Sequence, residues 1–399
     1  MVKDFWQTLT IGELCDEGGG SVQTGPFGSQ LHAEDYVADG VPFVMPTNLG
    51  ENRIVENEIA RISVADTERL SRYRLRTGDI IYGRRGDIGR RALVTKREDG
   101  WMCGSGCIRI RFGEAEVEPR FVSFYLGQNQ VKELILARAV GSTMPNLNSQ
   151  IIRSIPISFP PLIIQRRIAD ILGALDDKIE CNRRINLTLE AMAQALYKHW
   201  FVDSSDSEYQ PITDFIQVDP TVEIPRNSEM PFVEMKALPT WSMSVTDVAR
   251  RRFAGGSKFK NGDTLLAAIT PSLENGKTAF VDFLEDDEAG WGSTEFIVLR
   301  AKQGVSPQFV YCSARDEDLR TRAIKSMVGS SGRQRVRRDF LDRFEIKAFD
   351  GQTMTGFHER TLSWFKQIRA NIKENQTLTR TRDYLLPKLL SGEVEVRNG

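Results

Sequence analysis

The sequence is short of the residues around which active sites are usually built. Among 399 residues there are three histidines, His32, His199 and His358, and five cysteines. The histidines are scattered in no Ser–His–Asp order, so no triad is expected. Five cysteines in a chain of this length make no disulfide scaffold, and the composition reads as cytoplasmic. Cys103 and Cys107 form Cys-Gly-Ser-Gly-Cys, but no second Cys/His pair at metal-ligand spacing accompanies them. A buried structural role is expected for both, and no metal. No run of about 18 apolar residues occurs, so no transmembrane helix is expected. Met1-Val2-Lys3-Asp4-Phe5-Trp6 lacks the basic and apolar regions of a signal peptide. An excess of one charge is missing too: 53 Lys and Arg against 54 Asp and Glu leave −1. Any affinity for nucleic acid must therefore come from local basic clusters.

Nucleotide-binding patterns are also absent. Gly276-Lys277-Thr278 resembles the end of a phosphate-binding loop, but Pro271 stands where its first glycine belongs and strand-like Ala279-Phe280-Val281 follows. No Gly-x-Gly-x-x-Gly follows a strand, and no Asn/Asp-Pro-Pro-aromatic tetrapeptide of amino-methyltransferases is present. The acidic residues form no obvious catalytic set.

What is present is a repeat. Gly78-Asp79 matches Gly262-Asp263, Gly104-Ser105 matches Gly292-Ser293, and Val140-Gly141-Ser142 matches Val328-Gly329-Ser330. Ile179, Asn182, Asn186, Thr188, Leu189 and Leu196 then match Ile368, Asn371, Asn375, Thr377, Leu378 and Leu385, all at an offset of 189. Ordered matches at one spacing indicate an internal duplication. Each half begins with short strand-like runs punctuated by glycine and proline. These are Ile80–Tyr82, Ala92–Val94 and Cys107–Arg111 in the first half, and Thr264–Ile269 and Glu295–Leu299 in the second. Short helices are expected over 119–138 and 307–325.

Each half ends in a long helix, expected over 161–201 and 350–391. Apolar positions and asparagines alternate by four and three in both. The seam includes Leu175, Ile179, Asn182, Asn186, Leu189 and Leu196 in the first, and Trp364, Ile368, Asn371, Asn375, Leu378 and Leu385 in the second. A heptad seam of this length predicts a coiled-coil pair, with asparagine fixing register. A 35-residue helix spans about 50 Å. The expected organisation is α+β with a pseudo-two-fold internal repeat. It comprises a mixed domain over 1–160, a spacer helix over 161–203, a polar linker over 204–228, a second mixed domain over 229–349, and a second helix with its tail over 350–399. An antiparallel helix pair would hold the two mixed domains apart, suiting two different readers for one extended target. One turn of duplex DNA is about 34–36 Å.

Local charge agrees. Arg84-Arg85 and Arg90-Arg91 surround Gly83, Gly86 and Gly89, while Arg333, Arg335, Arg337 and Arg338 crowd the second half, which also holds Arg250-Arg251-Arg252. Arginine beside glycine turns reaches guanine edges and phosphates. Four loops, 84–91, 141–148, 269–277 and 329–338, are the candidate reading loops. The candidate DNA-binding residues are Thr47, Asn48, Arg84, Arg85, Ser142, Thr143 and Asn146, then Thr270, Ser272, Lys277, Ser330, Arg333, Gln334 and Arg335. Arginine and lysine suit guanine; asparagine and glutamine suit adenine. A turn-forming role competes at each, most plainly at Ser272.

Further motifs carry a resemblance. In the second half, Gly262-Asp263-Thr264-Leu265 precedes Ile269-Thr270-Pro271-Ser272-Leu273-Glu274-Asn275-Gly276-Lys277 and Gly292-Ser293-Thr294-Glu295-Phe296. The first half has the looser Gly78-Asp79-Ile80-Ile81 and Gly86-Asp87-Ile88-Gly89. Ser142-Thr143-Met144-Pro145-Asn146-Leu147 leads through Pro160-Pro161-Leu162 and Gln165 to Leu175-Asp176-Asp177-Lys178-Ile179, and the second helix closes on Leu385-Leu386-Pro387-Lys388-Leu389. Over almost its full length the chain resembles the specificity subunit of type I restriction-modification systems. Asp350-Gly351 departs from the Pro-Pro-Leu lead-in of the first helix.

The resemblance implies two target-recognition domains held apart by two antiparallel helices, each reading one half of an asymmetric, bipartite site in double-stranded DNA. It implies docking of two modification subunits that bind S-adenosylmethionine and methylate adenine at N6, and of motor-nuclease restriction subunits. No cofactor is implied in this chain. The alternatives are a specificity subunit of another methylation-based phage-defence system, or a stand-alone bipartite DNA-binding protein.

Overall fold

The structure is a computed structural model that describes residues 6–27, 29–56, 58–85, 88–139, 146–203, 208–330 and 332–396. It is α+β and divides into two compact units: Met1–Lys178 with Leu378–Gly399, and Ile179–Thr377. These units cut across the expected boundaries, because each combines a mixed domain with segments of both long helices.

In the first unit a five-stranded sheet has the order Gly19–Thr24, Cys107–Gly113, Ile80–Gly83, Arg91–Leu93 and Glu51–Asn52. A three-stranded sheet follows the order Ala60–Ile62, Tyr36–Val44 and Met102–Cys103, and Gln7–Thr10 pairs with Pro156–Phe159. In the second unit the corresponding sheets are Ile216–Val218, Phe296–Ala301, Thr264–Ala267 and Thr278–Phe280, and then Ala249–Arg252, Glu229–Val233, Gly290–Gly292 and Ser257–Phe259. Each unit keeps a parallel pair in the second sheet named, Val44 beside Cys103 and Val233 beside Gly292.

The duplicated Gly-Asp turn shows why the repeat persists. Gly78 and Gly262 both have φ of +90°, where a Cβ is strained. The next residue turns its carboxylate inward. Asp79 accepts from the Arg76 amide and from Arg111 through two nitrogens at 2.7 and 2.6 Å. Asp263 accepts from the Lys260 amide and from Arg300 at 2.6 and 2.7 Å. A buried carboxylate is tolerated only with such partners, and the bidentate guanidinium supplies them.

The polar stretch 204–228 is not a linker where it is described. Tyr209–Pro211 pairs with Glu345–Lys347, and Ile216–Val218 pairs with the strand Phe296–Ala301. Ile212, Ile216, Val222 and Ile224 are buried. The segment repeats the role of residues 7–24: a short strand on the pre-helix strand, then a strand on the main sheet. The single short helices expected over 119–138 and 307–325 are each broken in two. Pro119–Leu126 and Asn129–Arg138 flank Gly127, and Pro307–Ala314 and Glu317–Lys325 flank Arg315.

The long helices are Leu162–Tyr197 and Gly351–Leu390. Asp350 opens the second by accepting the Thr353 amide at 2.7 Å, which replaces the Pro-Pro-Leu lead-in. In the second unit the helical segments run antiparallel: Asn182 donates to Asn375 at 2.9 Å and to Glu374 at 2.7 Å, and Asn371 donates to Asn186 at 2.7 Å. In the first unit Arg382 donates to Asp176 at 2.9 Å with the same polarity. Leu175, Ile179, Leu189, Leu196, Trp364, Ile368, Leu378 and Leu385 are buried or half-buried. Seam asparagines bonded to one another fix register at some expense of stability. Among the described residues no helix is long and apolar enough to cross a membrane. Cys103 and Cys107 are buried free thiols, and no group of metal-binding side chains occurs among the described residues.

Candidate nucleic-acid interface

The candidate reading loops meet in pairs, by the same backbone device in both units. In the first, the strand Ile80–Gly83 runs on into Arg84, whose amide donates to the Gly106 carbonyl at 2.7 Å and whose carbonyl accepts from the Leu147 amide at 2.9 Å. Arg85 then forms an antiparallel bridge with Asn146. In the second, the strand Thr264–Ala267 runs on into Ala268, whose amide donates to the Glu295 carbonyl at 2.9 Å and whose carbonyl accepts from the Val336 amide at 2.9 Å. Ile269 then bridges Arg335. Arg84 thus corresponds to Ala268, Arg85 to Ile269, Asn146 to Arg335 and Leu147 to Val336. The scaffold is shared and the side chains it presents are not.

Several proposed residues serve this scaffold. Arg84 is half-buried and donates through Nε to the Leu147 carbonyl at 3.1 Å. Thr270 accepts the Gln334 amide through its hydroxyl at 3.0 Å, which ties loop 269–277 to loop 329–338. Half-buried Gln334 contributes its backbone to that tie, and the Ser272 carbonyl accepts the Lys277 amide at 3.1 Å. Lys277 turns its ammonium to the Met235 carbonyl at 2.9 Å. Asn48 is a correction: it is 2% exposed, and its amide group joins the Met45 amide to the Val55 carbonyl at 3.0 and 3.1 Å. It closes a turn and offers nothing outward. Arg91 is another, since it lies buried and donates to the Ser123 carbonyl at 2.6 Å. Ser142 and Thr143, with Gly86 and Asp87, lie outside the described residues.

The exposed members are Thr47, Arg85, Ser330, Arg333 and Arg335. The arginine cluster of the second unit is largely neutralised. Arg335 chelates Glu295 at 2.7 to 2.9 Å, Arg337 pairs with Asp339, and Arg338 pairs with Asp219. The Arg335 hydrogen bonds hold the Glu295 carboxyl below its usual range, so the pair is ionic at neutral pH. Arg333 makes no ion pair among the described residues and is the cation of that cluster left for a phosphate or base. Glu295 was not singled out from the sequence; its place after the Gly292-Ser293 turn in both repeat and motif text was the available signal. Arg250 and Arg251 sit on a strand and pair with Glu288 and Glu234, so they too are committed within the unit.

Comparison with known proteins matches residues 3–191 to the type I restriction modification DNA specificity domain. Similar chains run the full length. The HindI specificity subunit of Haemophilus influenzae is 24% identical, over 89% of this chain and 94% of its own. The MjaIX specificity subunit of Methanocaldococcus jannaschii is 22% identical, over 98% and 94%. Over nearly its whole length the chain is thus similar to type I restriction-modification specificity subunits, and residues 3–191 carry the DNA specificity domain. A solved specificity subunit from M. genitalium shares the fold, with a TM-score of 0.57, 15% identity and 96% of both chains covered.

Proposed function

We propose that each unit reads one half of an asymmetric, bipartite site in double-stranded DNA. The carrying observation is the shared loop-pairing device with unlike side chains, Arg85 and Asn146 against Ile269 and Arg335. Identical readers would select a symmetric site; these two present different donors to the groove. In the first unit exposed Arg85 and Thr47 are the readers, with half-buried Asn146 bridged to Arg85. In the second, Arg333 and Ser330 read, with Arg335 beside them held by Glu295, while Thr270, Gln334, Ser272 and Lys277 hold the loops in place. Ser142 and Thr143 belong to the first set by sequence.

The partners follow from the family. The long helices dock two modification subunits, which carry S-adenosylmethionine and methylate adenine, and through them the motor-nuclease subunits. This chain holds no cofactor and supplies selection only. The test is co-expression with a DNA adenine methyltransferase subunit of a type I system. A stable complex that methylates one bipartite sequence is expected. A chain that binds DNA selectively but never retains a methyltransferase would make it a stand-alone DNA-binding protein instead.

A further inference from the structure

The two units treat one equivalent position differently. In the second unit, Glu190 of the first long helix is 7% exposed and buried against the sheet. It accepts the Met243 amide at 3.0 Å and the Tyr311 hydroxyl, with Arg315 at 3.9 Å. Arg315 caps the C-terminus of the helix Pro307–Ala314. In the first unit the matching helix, Pro119–Leu126, is capped by Gly127, and Ser123 replaces Tyr311. Thr379 stands at the position that matches Glu190 by the offset of 189. Arg91 borders a cavity of about 350 Å³, lined also by Gln128, Lys132, Glu51, Asp176 and Asp383.

Arg91 takes over the place of Arg315. Its Nη2 lies 2.2 Å from where a Cβ on Gly127 would sit, so the guanidinium fills the space that a side chain there would take. Arg91 is 5% exposed and its Nε donates to the Ser123 carbonyl. Its two Nη atoms have no acceptor among the described residues. The three carboxylates on the cavity wall do not serve it, because Asp176, Asp383 and Glu51 gather around Arg382 at 2.9, 2.8 and 3.8 Å. Burial pushes the Arg91 guanidinium down, only partly offset by Tyr82, Glu51 and Asp176, which marks a buried cation without a full counter-charge. A second feature converges on the same space. The ten-residue helix Asn129–Arg138 begins at the cavity wall with no side-chain cap on its first amides. Uncapped N-terminal amides favour an anion.

We propose that this cavity binds a carboxylate, held by the free Nη atoms of Arg91, the first amides of the helix Asn129–Arg138 and the Lys132 ammonium. The external carboxylate faces Arg91 as Glu190 faces Arg315 in the second unit. A planar carboxylate matches the guanidinium fork. The carboxylate source is either a free organic acid or an acidic side chain of a polypeptide, and the chemistry of capture is the same.

The test is calorimetric titration of the full chain at constant ionic strength with sodium succinate, an N-acetylated triglutamate amide, sodium phosphate and sodium chloride. Saturable binding of succinate, or of the peptide alone, is expected; the first outcome indicates a free acid and the second a polypeptide. Arg91→Gln is expected to weaken that binding roughly tenfold or more. If Arg91→Gln does not fold, Lys132→Ala takes its place and is expected to weaken binding less. The assignment is overturned if neither carboxylate saturates beyond chloride, if phosphate binds as well as succinate, or if the substituted chain binds like the parent.

Discussion

The two units share a backbone and differ in how they handle charge. The first leaves Arg85 exposed beside Asn146, whereas the second places Ile269 and an Arg335 already chelated by Glu295 at the same positions. The first buries Arg91 with no carboxylate bonded to it, whereas the second bonds its buried Glu190 to Tyr311. Duplication therefore preserved what the chain needs to fold, namely the Gly-Asp turn, the parallel pair and the loop bridge. It released the side chains that stand on that frame. A recognition protein benefits from this division, because preference can change while the loop geometry stays fixed.

The strongest way to break the comparison is at the shared turn. Asp79→Ala and Asp263→Ala should each destabilise the protein by about 2–4 kcal/mol in chemical denaturation, since each strands a half-buried arginine. A large effect at one and none at the other would end the structural equivalence of the units. Reading is expected to be local. Arg85→Ala and Arg333→Ala should each cost about 1–3 kcal/mol in DNA affinity and relax selection in different halves of the site, as measured by competition among randomised duplexes. Uniform weakening with a shallower salt dependence would assign that arginine to a phosphate.

A pH effect is expected from Asp282 in the second unit. Burial pushes the Asp282 carboxyl up to about 6, against the pull of Arg369 and Lys373, and both its oxygens lack hydrogen-bond partners. A raised carboxyl favours the protonated folded state. Its contribution is therefore complete below the ordinary value of 3.8 and is lost as pH rises through about 6. Asp282→Asn should stabilise the protein by about 1–2 kcal/mol at pH 7, with the gain vanishing below about pH 4. The first unit has Thr95 at this point, after Val94, whose carbonyl receives the Gly78 amide as Val281 receives that of Gly262. The smallest effect is expected from Glu295→Gln. It frees Arg335 at a stability change of about 0.5–1 kcal/mol, measured by the denaturation midpoint, and it should alter selection in the half-site that Arg333 reads.

The repeat and the helix seam were legible because both are carried by many residues at fixed spacing. Asn182, Asn186, Asn371 and Asn375 stand at seam positions, and the structure bonds them to one another. The segment 208–228 was misread because its strands are only three residues long and lie among Pro211, Pro220 and Pro225. Period-two patterning cannot register over three residues, and partners more than 80 residues away bury Ile212 and Ile216. Asn48 was misread because an asparagine that closes a turn and one that reads a base look the same until burial is known. Arg91 stood in an arginine cluster, but its strand pairs with Glu51–Asn52 and turns it inward. Charge pairing across the chain, as between Arg335 and Glu295, leaves no local signature.

The most direct test of the division of labour exchanges residues 1–160 for those of a specificity subunit with a different known site. The bound sequences are then selected from randomised duplexes. If each unit reads its own half, one half of the preferred sequence changes and the other is retained. Replacement of both halves, or of neither, contradicts it.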